Sequence, residues 1–398
     1  MNENANYVDV SKLTFEQLKK VRVQLKKMIE HGGSDLHIKA NSVIRARING
    51  NIVQFSGTIL SKADALTFAK ELLKGRFAEF VEKKEIDLVY QFDERNRFRV
   101  NVFFQIDGVS AVFRVIPVSI PTFEEYNLPE ILRDFSKKKA GLVLVTGATG
   151  SGKSTTLASI IDDINRNKKQ HIITIEDPVE FVHKDRLCIV NQRSVTQDTI
   201  SFGTALRAAL REDPDIILVG EMRDKETIDL ALHAADTGHL VFSTLHTIDA
   251  KETINRIIAQ FPHEEQNRVR LSLSSVLQGI VSQRLIATVD GGRCAAMEIL
   301  IKTPTIEKLI MEDRDFEIKD AIEAGREHYK SQSFDQAILD LYNAGKISKE
   351  QAKENATSAS DLELKISGLT SGTIPTENKS AKTQRVTLDK NDDIFDLK

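Results

Sequence analysis

Apolar positions fall into three regimes along the chain. Over residues 14–30 (TFEQLKKVRVQLKKMIE), Phe15, Leu18, Val21, Leu25, Met28 and Ile29 recur at spacings of three and four, which predicts an amphipathic helix with a lysine-rich outer face. HGGSD (31–35) breaks it. From Leu36 to about residue 117 the pattern becomes strand-like: LHIKA, VIRARING, IDLVYQF, RFRVNVFFQ and VSAVFRVI alternate or carry β-branched residues, and Asn49-Gly50 is a hairpin signal. One helix is predicted among these strands, over about 62–84. Together they predict a small α+β unit with a mostly antiparallel sheet. Pro117, Pro121, Pro129 and the basic run Lys137–Lys139 then mark a linker over 117–140, because proline fixes φ and removes a backbone donor.

From Gly141 the third regime begins. GLVLVT (141–146), HIITIE (171–176), DIILVGE (215–221) and HLVFSTL (239–245) are nearly continuous apolar runs, separated by helical stretches. Strands look like this when a parallel sheet is covered on both faces, so the expected class is α/β, doubly wound. Beyond residue 250 helices are expected near 250–260, 264–286, 305–312, 334–344 and 348–355. The expected organisation is a helical extension (1–30), an α+β unit (31–117), a linker (118–140), an α/β unit with C-terminal helices (141–366) and a polar, unpacked tail (367–398).

Composition narrows the function classes. The chain has 398 residues and a net charge of -3, too balanced for a general nucleic-acid coat, so no nucleic-acid partner is expected. Its two cysteines, Cys188 and Cys294, cannot supply a four-cysteine zinc site and suggest no disulfide framework. No apolar run approaches the ~20 residues that span a bilayer. MNENANYVDV has neither a basic n-region nor an apolar h-region, so a cytoplasmic location is expected.

The sharpest chemical signal is Gly147-Ala148-Thr149-Gly150-Ser151-Gly152-Lys153-Ser154, with Thr155 following. It matches G-x-x-x-x-G-K-[ST] between an expected strand and an expected helix, the setting a phosphate loop requires. Glycines let successive N–H groups turn inward on an anion, and the helix start adds its positive dipole end. Lys153 can reach the β- and γ-phosphates of ATP, and the Ser154 hydroxyl can hold Mg²⁺.

A nucleotide hydrolase also needs acids for the metal and for water. DIILVGE ends in Glu221, although Gly220 occupies the usual aspartate position; Glu221 is the candidate for Mg²⁺, through water. HIITIE ends in Glu176, the candidate catalytic base, with Asp177 and Glu180 as lesser candidates. His239 and His246 flank an expected strand and are candidates for sensing the γ-phosphate or coupling the site to a neighbour. Arg97, Arg99 and Arg114 lie on strands of the first unit, and phosphoryl transfer gains from a guanidinium on the γ-phosphate.

GATGSGKSTTLA, TIEDPVEF, ALREDPDIILVGEMRD and TGHLVFSTLHT, in this order and spacing, resemble the secretion-type ATPases of type IV pilus and type II secretion machines. The chain is most similar to the pilus-retraction branch, over about 30–366, through SDLHI (34–38), RFRVN (97–101), TIEKLIME (305–312) and SFDQAILDLYNAGKIS (333–348). The resemblance implies an N-terminal PAS-like domain, a RecA-like P-loop core and a homo-hexameric ring working against an inner-membrane platform protein. It implies that Glu176 belongs to an acidic box, Glu221 to the Walker B motif, and His239 and His246 to a histidine box. It also implies that Arg99 and Arg114 reach a neighbouring subunit's ATP. Assembly ATPases of that superfamily usually carry an extra N-terminal domain and a four-cysteine zinc site, and this sequence shows neither, which points to retraction. The alternatives are a secretion or assembly ATPase of the same superfamily and a RecA-like nucleic-acid translocase; no aromatic stacking platform supports the latter.

Overall fold

The computed structural model describes residues 8–93, 96–116 and 119–367. The first seven residues, Pro117 of the expected linker and positions 368–398 of the expected tail lie outside them.

The first sheet contains β1 (Gly33–Lys39), β2 (Ser42–Ile48), β3 (Asn51–Leu60), β4 (Glu85–Gln91), β5 (Arg97–Gln105) and β6 (Gly108–Ile116), in the order β3-β2-β1-β6-β5-β4 with every pairing antiparallel. Asn49 and Gly50 turn β2 into β3 with φ of 47° and 82°, the left-handed pair a tight hairpin requires. Helices α1 (Glu16–Glu30) and α2 (Lys62–Leu73) cover one face, where Leu18, Val21, Leu25 and Met28 share a core with Leu36, Phe68 and Phe113. The single helix expected over 62–84 is in fact two: α2 ends at Leu73, and α3 (Phe77–Lys83) follows a 3₁₀ turn. Lys74 there takes a positive φ of 51° with ψ of -120°, which ends the helix without a C-terminal glycine in the left-handed region. Directly opposed residues share a sheet face, so the pairings Arg47↔Asp35, Asp35↔Arg114 and Arg114↔Arg99 set these side chains in one row on the other face.

The segment expected as a linker is largely packed. It contains α4 (Ile131–Ser136), and Phe123, Leu128, Leu132 and Phe135 are buried with Val143, Leu157 and Ile161 of the second unit. Arg133 adds ion pairs to Glu124, Glu130 and Asp163.

The second sheet contains β7 (Gly141–Thr146), β8 (His171–Glu176), β9 (Ile189–Ser194), β10 (Ile216–Val219), β11 (Leu240–Leu245), β12 (Leu277–Ala287) and β13 (Arg293–Ile301), in the order β13-β12-β7-β11-β10-β8-β9. All its pairings are parallel except β12 with β13. Helices α5 (Lys153–Asn167), α6 (Phe202–Ala209), α7 (Lys225–Asp236), α8 (Ala250–Ile258) and α9 (His263–Val276) surround it. Leu142, Leu144 and Ile217 belong to the core on one face, and Val143, Val145 and Ile216 to the core on the other. Burial on both faces is why these strands read as unbroken apolar runs.

The helix expected over 264–286 is a second correction, since α9 stops at Val276 and the chain continues as β12. A strand buried on both faces has no amphipathic period of its own, so periodicity could not separate it from the preceding helix. A Cβ at Gly279 would fall 2.4 Å from the Phe135 ring, which fixes glycine at that position of β12. The described residues end in α10 (Pro304–Met311), α11 (Ile318–Ala324), α12 (Arg326–Tyr329), α13 (Phe334–Asn343), α14 (Lys349–Asn355) and α15 (Ala359–Ile366). A capping box between Ser333 and Gln336 starts α13. Arg284 of β12 lies over the Phe334 ring at 3.9 Å and donates to the Asn355 carbonyl, tying the sheet to these helices. Among the described residues no helix is long and apolar enough to cross a membrane.

Candidate active site

In a parallel sheet, ligands bind beyond the carboxyl ends of the strands. Here the segments leaving β7, β8, β10 and β11 converge on one cleft of about 970 Å³. β7 leads into residues 147–152, and α5 begins at Lys153. Gly147, Gly150 and Gly152 have φ of 143°, 80° and 92°, conformations that strain any residue with a Cβ. Space is equally short: a Cβ at Gly147 would sit 2.4 Å from the Gln283 carbonyl oxygen, and one at Gly152 2.7 Å from Gln283 Nε2. The loop residues Thr149, Gly150 and Gly152 line the cleft with Lys153, Ser154 and Thr155, whereas Gly147 and Ala148 turn their carbonyls to the Lys153 ammonium at 2.7 and 3.0 Å. Ser151 is buried behind the loop. Burial lowers the Lys153 pKa, while Glu221 and Glu180 draw it back up.

Glu176 stands at the end of β8 on the cleft wall. Its Oε1 accepts from Thr174 Oγ1 at 2.6 Å and from Gln192 Nε2 at 3.3 Å. Burial pushes its pKa up to about 7 against these hydrogen bonds. Asp177 and Glu180 line the same wall. Across the cleft Glu221 follows Gly220, and the glycine has a local cause: a Cβ there would meet the Ile175 carbonyl at 3.1 Å and Glu176 Cα at 3.2 Å. Glycine in the usual aspartate position thus lets the ends of β8 and β10 close up, bringing both glutamates to one opening.

His246 lies between the loop and Glu221, with Nδ1 3.5 Å from Thr149 Oγ1 and Nε2 3.6 Å from Glu221 Oε1. His239 is placed differently. It sits at the opposite end of β11, its Nδ1 3.0 Å from the Ala234 carbonyl, and is not among the residues lining the cleft. Arg99 lines the cleft of its own chain. Arg114 does not; its exposed guanidinium donates to the buried Asp35 at 2.7 Å. Burial would raise the Asp35 pKa, but Arg114 and Ser34 outweigh it and hold it below the usual carboxylate value. Arg97 is on the same strand face as Arg99 and is not a cleft residue.

Three site residues were not singled out from sequence. Gln283 of β12 donates to the Ser151 carbonyl at 2.7 Å and accepts from Thr156 Oγ1 at 2.8 Å, bracing the loop from behind. Its segment reads as helix in the sequence, which hid it. Arg223 donates to Glu221 Oε2 at 2.7 Å, and Gln192 reaches Glu176 from β9. The only sequence signal for Arg223 is its place two residues beyond Glu221. Phe202 and the 125–128 segment also line the cleft.

Ser154 and Glu221 offer hard oxygens to the same cleft, which suits Mg²⁺. No cluster of three or more metal-ligating side chains occurs among the described residues. An ion here would therefore rely on phosphate and water oxygens, as Mg²⁺ commonly does.

This arrangement is shared along nearly the whole chain. The profile of the Type II/IV secretion system protein family matches residues 15–360. The chain belongs to that family. It is 47% identical over 328 residues to the type IV pilus retraction ATPase PilT of Pseudomonas aeruginosa, covering 82% of this chain and 95% of PilT. Against the type IV pilus ATPase PilU of the same organism it is 40% identical over 371 residues, covering 93% and 96%. A crystal structure of the pilus retraction motor PilT with bound ADP superposes with a TM-score of 0.81 at 43% identity, covering 86% of this chain and 98% of that one. The second sheet is accordingly the RecA-like core of a secretion-family ATPase.

Proposed function

We propose that this secretion-family ATPase drives retraction of a type IV pilus, as a hexameric ring on the cytoplasmic side of an inner-membrane platform protein. The observation that carries this reading is the match to a retraction ATPase over 82% of this chain and 95% of that protein, with both glutamates and the phosphate loop meeting at one cleft. The domain boundaries at 30, 117, 140 and 366 belong to the same proposal.

In this reading the loop amides of residues 147–152 and the Lys153 ammonium hold the β- and γ-phosphates. Ser154 and, through water, Glu221 hold Mg²⁺, which when bound screens the phosphate charge during phosphoryl transfer. Glu176 takes a proton from the attacking water, whose oxygen bonds to the γ-phosphorus as the bond to the β-γ bridging oxygen breaks, leaving ADP and phosphate. His246, set between the loop and Glu221, senses the γ-phosphate; His239 would have to act from the far end of β11, on a neighbour or through the strand. Arg99 and Arg114 stabilise charge on a nucleotide at the junction with the next subunit. Repeated turnover would change the angle between the two sheets about the 117–140 segment.

The shared site gives a test in the tube. An Arg114→Ala chain and a Lys153→Ala chain, each inactive alone, should recover part of the parent ATPase rate when co-assembled. Sites that take Lys153 from one chain and Arg114 from the other would be complete. No recovery in confirmed mixed rings would count against a site built by two subunits.

A further inference from the structure

Glu176 sits at the end of β8 with its carboxylate largely desolvated, so the groups that hold that carboxylate matter to the rate. β8 and β9 pair in parallel, with Thr174 opposite Gln192 and Glu176 opposite Ser194. The Gln192 amide therefore rises beside the end of β8. It makes three hydrogen bonds. Nε2 donates to Glu176 Oε1 at 3.3 Å and to the Phe181 carbonyl at 2.9 Å, while Oε1 accepts from the His183 backbone N–H at 2.8 Å. Both ends of the amide are thus engaged, which fixes its orientation.

The last two bonds clamp the 177–188 segment at residues 181 and 183, just beyond Glu180. One side chain thereby holds the base directly through Nε2 and also fixes the segment that follows it. Thr174 supplies the remaining donor from β8 itself.

We infer that Gln192 is a positioning residue for hydrolysis, its amide setting the Glu176 carboxylate and locking the loop after β8 against it. This rests on Glu176 being the base. A methionine at 192 keeps the length and removes every hydrogen bond. Losing one donor to a charged acceptor costs about ten-fold in rate if the group is used in the transition state.

The experiment is steady-state ATPase kinetics on the full-length chain carrying Gln192→Met, with mant-ADP binding and thermal melting beside it. Expected are a kcat about 10-fold lower, with KM for ATP and affinity for mant-ADP within about two-fold of the parent, because the phosphate loop is untouched. The decisive arm is a double-mutant cycle. In a Glu176→Gln background, Gln192→Met should cause no further loss of single-turnover rate, since residues acting as one unit are non-additive. The same 10-fold loss in both backgrounds, or a raised KM at unchanged kcat, would overturn the proposal and leave Gln192 a loop brace alone. Should Glu176→Gln by itself turn over at the parent rate, the base assignment fails, a result read without any Gln192 variant. If Gln192→Met melts too low to assay, Gln192→Leu and Thr174→Val take its place; Thr174→Val removes the other side-chain donor and is expected to lower kcat with the same KM split, and unchanged kcat in both would equally overturn the idea.

Discussion

Lys153→Ala should reduce ATP turnover by the purified chain to background, and it should weaken nucleotide binding as well. The side chain is buried at the foot of the loop with its ammonium on the Gly147 and Ala148 carbonyls. A charge held there in a low-dielectric setting is worth far more to a triphosphate than one in water. Glu221 and Glu180 face it, so removing the ammonium also leaves the acids of the cleft less balanced. Phosphate release by a coupled assay, with circular dichroism to show the fold is kept, checks this. Turnover near the parent rate in folded protein would refute the role of Lys153.

The second large effect concerns the chemical step. Glu176→Gln should bind ATP about as well as the parent while kcat falls by roughly 10²–10⁴-fold, the range a positioned general base supplies. Glutamine keeps the shape and the ability to accept from Thr174 and Gln192, so the loss isolates proton transfer. The direction of the pH dependence follows from burial, which places the Glu176 pKa at about 7. A base works only when ionised, so the parent kcat should rise with pH through that value and fall below it. In Glu176→Gln this limb should disappear. A near-parent kcat in the variant would move the base elsewhere in the cleft, with Asp177 and Glu180 the nearest alternatives on that wall.

Much of this site is legible in the sequence because its parts are local. A glycine-rich loop between an apolar strand and a helix specifies its own backbone, and an acid at a strand end is carried to the carboxyl edge by the strand itself. Glu176, Glu221 and Lys153 meet there for that reason. What the sequence hides is set by partners distant along the chain. Gln283 lies 130 positions beyond Lys153 in a strand that only pairing with β7 and β13 distinguishes from helix. Gln192 reaches Glu176 through the β8–β9 register, and β9 carries no continuous apolar run to announce it. The row Arg47–Asp35–Arg114–Arg99 is likewise a product of cross-strand register, which one strand read alone does not contain. His239 shows the converse. Its seven-residue spacing from His246 is visible in the sequence, yet an extended strand of that length sends the two to opposite edges of the sheet.

We propose that hydrolysis in this cleft pulls pili in. It is tested most directly by imaging fluorescently labelled pili on cells lacking the gene, complemented with the parent chain or with Glu176→Gln. Deletion should leave pili extended and unable to shorten; the parent chain should restore shortening, and the Glu176→Gln chain, though present at the same level, should not. Cells that lose their pili on deletion, or that retract normally on Glu176→Gln alone, would contradict it.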